Sequence, residues 1–387
     1  MFTKQSRPVR EVDDVVTCFR DGVVTLRKNR RTTGFTESFQ WSGYQGIRKG
    51  DLVIHVMDAF AGSIGVSDSD GKSTPVYSAC TAKLDINNYY YAYLLREMAR
   101  TGFIQSLYRG IRERSSDFRF EVFAGLLLPL PPRDEQDQIV RYLDWKVSQI
   151  NKLINAKRRQ IELLGEQKHI TIKNAVRYTD GNKKCKVKNL AFFKSGTNLT
   201  ALQIEEAGNY PVYGGNGLRG YYPDFSHSGE YLLIGRQGAL CGNVHYVSGD
   251  FWATEHAVTV KPNDIVHIKW LYYLLTDINL NQYSMAAAQP GLSVEYLVNL
   301  PAYFPPYDEQ QKIADFLDTQ CANIDKIAAK LNEEITLFAE YRTRLISDVV
   351  TGKTDMRGVV VPGYESMEET VGNEEIYEEQ GDETDAE

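Results

Sequence analysis

The chain has 387 residues, 42% hydrophobic and 25% charged, a globular composition long enough for two or three domains and too long for one small scaffold. It contains no uninterrupted apolar run of about 18 residues, and its start, MFTKQSRPVR, lacks the apolar core of a signal peptide, which predicts a cytoplasmic protein off the membrane and off the secretory route. The net charge of −7 is unevenly placed: residues 365–387 carry 11 carboxylates and no Lys or Arg, leaving a body of 40 acids against 44 bases, and so acidic a tail is expected to be disordered.

In chain order, residues 1–130 read as a first globular domain. Its basic run Arg27-Lys28-Asn29-Arg30-Arg31 and the pair Arg48-Lys49 are candidate phosphate anchors, although charge runs also serve simply to solvate a loop. The string GDLVIHVMDAFAGSIGV from Gly50 leads through a loop to a β-like segment, VYSACTAKL at Val76, and then to a short aromatic helix, YYYAYLLREM near Tyr89. Residues 131–180 read as a first long helix. In residues 181–303 the same order returns: GEYLLIGRQGALCGNV from Gly229, WATEHAVTV at Trp252, and IKWLYYLLTD near Ile268. A second long helix is expected over 304–352, and a C-terminal segment with the acidic tail over 353–387.

The two helices are copies. LPPRDEQDQIVRYLDWKVSQINKL from Leu130 recurs as FPPYDEQQKIADFLDTQCANIDKI from Phe304 at a constant offset, through Pro132/Pro306, Asp134/Asp308, Gln136/Gln310, Leu143/Leu317, Asp144/Asp318 and Ile150/Ile324. Proline costs nothing at a helix start and carboxylates face the positive end of the helix dipole there. Apolar positions Leu143, Val147, Ile150, Ile154, Ile161, Leu164 and Ala175 then step by threes and fours, matched by Leu317, Cys321, Ile324, Ala328, Ile335, Phe338 and Val349. Each copy reads as one amphipathic helix of about 44 residues, roughly 66 Å long. A single-stripe helix is unstable alone in water, so the two are expected to bury their stripes against each other as an antiparallel coiled coil. The fold class is mixed α/β: two globular domains, each followed by a long helix. Lys168 and Arg342 interrupt the stripes at matching places, which reads as a snorkelling or partner-facing charge.

Five scattered cysteines without a C-x-x-C pair and six histidines without H-E-x-x-H signal neither a disulfide framework nor a metal site. Phe304-Pro305-Pro306-Tyr307 is one residue from the Asn/Asp-Pro-Pro-Tyr/Phe string of amino-methyltransferases, but Phe304 supplies no acceptor for a target amino group. No catalytic set is predicted; Glu255-His256 reads as a structural pair within a β-like segment. Gly214-Gly215-Asn216-Gly217 lacks the Gly-Lys-Ser/Thr ending of a P-loop and reads as a turn. Its neighbours Tyr213, Arg219, Tyr221 and Tyr222 place rings and a guanidinium around it, groups suited to phosphates and base edges. Arg236-Gln237-Gly238 is a second such cluster, since Arg can bond guanine and Gln adenine in bidentate fashion. The predicted DNA-binding residues are therefore Arg236, Gln237, Tyr213, Gly215, Asn216, Arg219 and Tyr221, with Arg27, Lys28, Arg30, Arg31, Arg48 and Lys49 in the first domain.

The domain-helix-domain-helix order, the repeated Pro-Pro-x-Asp-Glu-Gln helix start, the ending LISDVVTGKTDMRG and the strings YPVYGGNGLRGYY, LLIGRQGALCGNV and FWATEHAVTV resemble the specificity subunit of type I restriction-modification systems over about residues 8 to 360. The chain begins almost directly in its first domain, without the longer lead of many members. The resemblance implies two target recognition domains, each reading one half of a bipartite, asymmetric site on double-stranded DNA, with the helices as spacer. It implies no catalytic activity and no cofactor on this chain. S-adenosylmethionine is expected on two docked methylation subunits, and ATP and Mg on two motor-nuclease subunits that can join them. Two other readings remain at this point. A self-contained DNA methyltransferase or nuclease predicts cofactor or metal motifs; a coiled-coil scaffold with two protein-binding domains predicts no salt-dependent DNA affinity.

Overall fold

The computed structural model describes residues 1–30, 43–107, 118–177, 183–238, 241–283 and 291–363; Arg31 and the acidic tail from residue 365 onward lie outside them. The chain divides into two units, one of Met1–Ala156 with the chain from Glu334 onward, the other of Lys157–Glu333.

Unit 1 contains strands β1 (Phe2–Lys4), β2 (Val16–Cys18), β3 (Val24–Leu26), β4 (Gln45–Ile47), β5 (Leu52–His55), β6 (Ile64–Val66), β7 (Gly71–Ser73) and β8 (Tyr77–Ala82), followed by helices α1 (Asn88–Arg100), α2 (Phe103–Ser106) and α3 (Phe120–Ala124). Its main sheet is antiparallel in the order β1-β8-β5-β6. The period of two along a strand sorts β5 between two cores: Leu52 and Ile54 join the cluster containing α1 residues Tyr91 and Leu95, while Val53 joins Val16, Val24 and Ile47 on the other face. Both faces are therefore covered, which is why the strand reads as a continuous apolar run. The Asn87 side chain caps α1 by accepting from the Tyr89 backbone N–H.

Unit 2 contains β9 (Lys183–Lys186), β10 (Ala191–Ser195), β11 (Tyr210–Gly214), β12 (Gly217–Tyr222), β13 (His227–Gly235), β14 (Val244–Ala253) and β15 (Ala257–Pro262). The sheet order is β10-β15-β13-β14-β11-β12. Its first four strands repeat the order and antiparallel pairing of unit 1. The sorting repeats too: Leu232 and Ile234 of β13 pack in the cluster with Trp270 and Leu271, and Leu233 lies opposite with Val247 and Phe251.

That long helix, α4, spans Arg133–Val176; α5 (Ile268–Asp277), α6 (Val294–Val298) and β16 (Pro301–Phe304), which pairs with β9, precede the second, α7 (Tyr307–Val350). Both long helices have 44 residues. In unit 1, Ile139 and Leu143 of α4 share a core with Val349 and Val350 of α7, and Arg342 donates to Asn151 at 2.6 Å. In unit 2, Ile172 and Val176 share a core with Leu317 and Cys321, and Lys168 reaches Asp325 at 2.7 Å. Within each unit the facing segments thus run antiparallel, and the two stripe-breaking cations bond across to the facing helix.

The repeated helix start has a visible task. Gln136, fully buried, accepts from the Asn87 backbone N–H at 2.8 Å and donates to the Pro131 carbonyl at 2.8 Å. Gln310, equally buried, accepts from His267 N–H at 2.8 Å and donates to Pro305 at 2.8 Å and Ile265 at 3.2 Å. Two turns on, Tyr93 donates to Asp144 at 2.9 Å and Tyr273 to Asp318 at 2.7 Å. Each sheet is thereby clamped, through its short aromatic helix, to the start of its long helix.

Candidate nucleic-acid interface

The candidate site gathers at one end of the unit 2 sheet. Strands β11 and β12 form a hairpin whose two-residue turn is Gly215-Asn216, closed by Gly214 opposite Gly217; Gly217 has φ of +99°, which favours glycine. The adjacent connection leaves β13 as Arg236-Gln237-Gly238. Its backbone is pinned on both sides, since Arg236 N–H donates to the His256 carbonyl at 2.9 Å and the Arg236 carbonyl accepts from Leu292 N–H at 2.9 Å. The backbone is fixed while both side chains stay exposed. Gly215 seats the hairpin turn on this strip: a Cβ there would stand 3.1 Å from the His256 carbonyl oxygen and 3.5 Å from that of Gln237.

The structure therefore brings together Arg236, Gln237, Gly215 and Asn216. The Arg236 guanidinium reaches the Ser195 hydroxyl at 3.4 Å, and Asn243 donates to Asn216 at 3.4 Å. Arg219 is exposed on β12, and its aliphatic stem crosses Gly214, where a Cβ would come within 2.4 Å of Arg219 Cδ. Tyr213 and Tyr221 lie on β11 and β12 of the same hairpin. The Tyr213 ring packs edge-on against Phe251 at 5.8 Å and 84°, and burial pushes its phenol above the usual range. Tyr221 is half-buried and exchanges backbone hydrogen bonds with Glu205. The Tyr213 ring thus packs within the sheet.

Glu255 and His256 do not lie inside a strand, as the sequence suggested; they form the turn between β14 and β15. That turn sets the His256 ring beside the cluster, with Nδ1 at 3.0 Å from Gln237 Oε1. The sequence signal was available in hindsight: two polar residues between β-branched runs mark a turn as readily as a strand interior. Asn243, Ser195 and His256 are additions that pattern reading missed, because only the sheet order makes them neighbours. His245, beside the hairpin, is held below the usual histidine range by burial, and its buried Nε2 has no hydrogen-bond partner among the described residues.

The first-domain cations are less free. Arg30 pairs with Asp21, Arg27 donates to Thr17 at 3.2 Å, and Arg48 reaches Asp13 and the Gly71 carbonyl, both at 3.3 Å. Lys28 meets Asp14 at 2.6 Å, with both side chains more than half exposed, a pairing of little energetic weight. Lys49 is exposed, with its backbone N–H on Asp70. Arg31 lies outside the described residues. Among the described residues no group of three or more His, Cys, Asp or Glu could hold a metal ion, and no helix is long and apolar enough to cross a membrane.

A family model described as the type I restriction modification DNA specificity domain matches residues 179–337. The type I restriction enzyme EcoprrI specificity subunit of Escherichia coli is 49% identical over 129 residues, 32% of this chain and 32% of that protein. A Mycoplasma pneumoniae protein described as the N-terminus of a type I specificity subunit is 32% identical over 140 residues, 35% of this chain and 75% of the relative. The match to the Escherichia coli relative thus spans about a third of its length. A solved structure described as the structural basis of complex assembly and conformational transition of the type I R-M system aligns with a TM-score of 0.69 at 14% identity, over 81% of this chain and 84% of that one, a likeness of fold.

Proposed function

Because the chain belongs to the family of type I restriction-modification specificity subunits, we propose that it is the non-catalytic, sequence-reading subunit of such a complex, acting in the cytoplasm. Each unit reads one half of a bipartite, asymmetric site on double-stranded DNA. Helices α4 and α7 set the gap and dock two methylation subunits, which carry S-adenosylmethionine; two motor-nuclease subunits using ATP and Mg can join. The observation that carries this reading is the repeated clamp: the same four-strand sheet is tied to the same helix start by Gln136 and Asp144 in one unit and by Gln310 and Asp318 in the other. Two reading surfaces built on one frame can differ in the bases they contact while presenting similar docking surfaces.

The test is target selection by the full chain with its methylation subunits, from a duplex pool with randomised bases and variable gaps. Two short preferred strings separated by an unread gap are expected, with affinity falling steeply as salt rises. A single contiguous preferred string, or no preference, overturns the reading. Four residues inserted after Ala156 and again after Glu333 add about 6 Å to each helix; the gap should then lengthen by one or two base pairs, at roughly 3.4 Å each, while the bases read stay the same.

A further inference from the structure

Three side chains in unit 2 form a relay that ends on the exposed amide of Gln237. Glu255 Oε1 stands 3.1 Å from His256 Nε2, and His256 Nδ1 stands 3.0 Å from Gln237 Oε1, one end of the terminal amide. The relay cannot drift far, because the His256 carbonyl accepts the Arg236 N–H at 2.9 Å and Gly215 is packed over the same strip. The second carboxylate oxygen, Glu255 Oε2, is buried and has no hydrogen-bond partner among the described residues, while its other oxygen meets the ring.

The order of donors along the relay follows from elementary chemistry. An ionised carboxylate can only accept, so the ring nitrogen facing it, Nε2, carries the hydrogen. At a pH above the ordinary imidazole range, about 6.5, an imidazole has one N–H, which leaves Nδ1 as an acceptor. The two ends of a carboxamide have nearly the same shape, and their partners decide which end goes where. Nδ1 therefore takes the Gln237 NH2, reached by a half-turn of the terminal amide, and the amide oxygen faces outward. The NH2 group has two hydrogens. With one on His256, the other remains beside the oxygen, and an acceptor next to a donor is the edge that meets adenine N6–H and N7 in the major groove.

We propose that Glu255, acting through His256, is a specificity-determining positioning residue: it locks the Gln237 amide in the orientation that reads adenine. The proposal rests on the DNA-reading function above. Without the lock the amide can turn its NH2 outward, where it also meets the acceptors N7 and O6 of guanine.

The experiment compares the full chain with its Glu255→Gln, His256→Phe and Gln237→Ala variants in selection from a half-site pool, alongside 15N spectra of histidine-labelled wild type. Both side chains at the turn are about 40% exposed, so the substitutions leave the core untouched. In Glu255→Gln and His256→Phe, preference for adenine at one position should fall about tenfold, with guanine gaining and every other position unchanged. Gln237→Ala should abolish preference at that same position. The wild-type spectra should show His256 protonated at Nε2 and bare at Nδ1. A wild type with base preferences that Glu255→Gln retains in full overturns this proposal alone, as does a His256 ring carrying its proton on Nδ1. A wild type with no base preference anywhere overturns the DNA reading itself.

Discussion

Units 1 and 2 share a frame and differ in what is mounted on it. In both, four antiparallel strands in the same order face a short aromatic helix, and a buried glutamine and an aspartate tie that helix to a long one. In both, a hairpin lies beside the fourth strand through a parallel contact: Val24 meets Ser67 in unit 1, and β11 pairs with β14 in unit 2. The hairpins then diverge. In unit 1 a Cβ on Gly65 would sit 1.9 Å from the Gly22 carbonyl oxygen, so β2–β3 is pressed onto the strand after β5, and nearby cations are bonded to Asp14, Asp21 and Thr17. In unit 2 the hairpin is longer and meets the Arg236-Gln237 strip through a glycine, leaving Arg219, Arg236 and Gln237 exposed. The repeated residues Gln136/Gln310 and Asp144/Asp318 belong to the frame; the exposed residues Arg219, Arg236 and Gln237 lie outside that repeat.

The units also differ in how they close, and the largest expected effect tests that. Met356, past the end of α7, is buried in the unit 1 core, and Gln138 donates to the Val359 carbonyl. Met356→Ala should cost about 2–5 kcal/mol, read by urea unfolding of the full chain, whereas a chain ending after Gly363 should retain wild-type stability and target choice. Loss of assembly with the methylation subunits in the shortened chain would give the acidic tail a docking role that the repeat does not suggest.

Next come the clamps. Gln310→Leu would leave the His267 N–H and the Pro305 and Ile265 carbonyls unmet, against the Asn87 N–H and Pro131 carbonyl for Gln136→Leu. At about 1–3 kcal/mol for each buried group left unsatisfied, the Gln310 variant should lose more stability than the Gln136 variant, and both should lose more than an exposed Gln→Leu change. Equal, negligible losses would mean that the repeat marks ancestry and not a mechanical tie.

The clamp also marks how far sequence reaches. The repeat, the helix starts and the 44-residue helix length were legible because period, proline and charge act locally. The turn at Gly215-Asn216 was legible for the same reason. The partners of Gln136 and Asp144 were not, since Asn87 and Tyr93 lie about fifty residues away and meet them only after the sheet has folded. At the candidate interface the sequence picked Arg236 and Gln237 by side-chain chemistry. It picked Tyr213 in the same way, but the ring's packing against Phe251 from another strand was not legible, since a tyrosine on a strand can face either side. His256 was set aside because its neighbour across the turn, Gln237, is remote in sequence.

A crossed pair of substitutions separates reading from support. Arg236→Ala should relax base preference at one position by about 1–3 kcal/mol and leave stability within about 0.5 kcal/mol. Arg48→Ala should do the reverse, because Asp13 is buried and loses one of its two guanidinium partners, Arg10 being the other. Its cost should be about 1–2 kcal/mol of stability, with base preference unchanged. Selection and unfolding experiments on both variants give four readouts, and an Arg48 variant that changes base choice would put the unit 1 reading surface at the β4 turn.

The smallest effect is electrostatic and reciprocal. Asp318 has Lys269 on it as well as Tyr273, and the hydrogen bond to Asp318 holds the Lys269 ammonium above its usual range. In unit 1 the position matching Lys269, one turn before the clamp tyrosine, is Tyr89; burial raises the Asp144 carboxyl above the usual range, only partly offset by the bond from Tyr93. A carboxyl raised in the folded state keeps its proton longer folded than unfolded, so its ionisation lowers stability as pH climbs from about 4 through the raised value. Tyr89→Lys supplies the missing cation, and the Asn87 cap survives because it uses the backbone N–H of residue 89. The variant should therefore lose that decline and gain stability at neutral pH, by under about 1 kcal/mol because the site is partly exposed, while Lys269→Tyr, which removes the cation bonded to Asp318, should lower stability at neutral pH by a similar amount. Melting temperatures from pH 4 to pH 7 for the two swaps check it. Parallel curves for wild type and Tyr89→Lys would mean that the proton on Asp144 is governed by something other than the absent lysine.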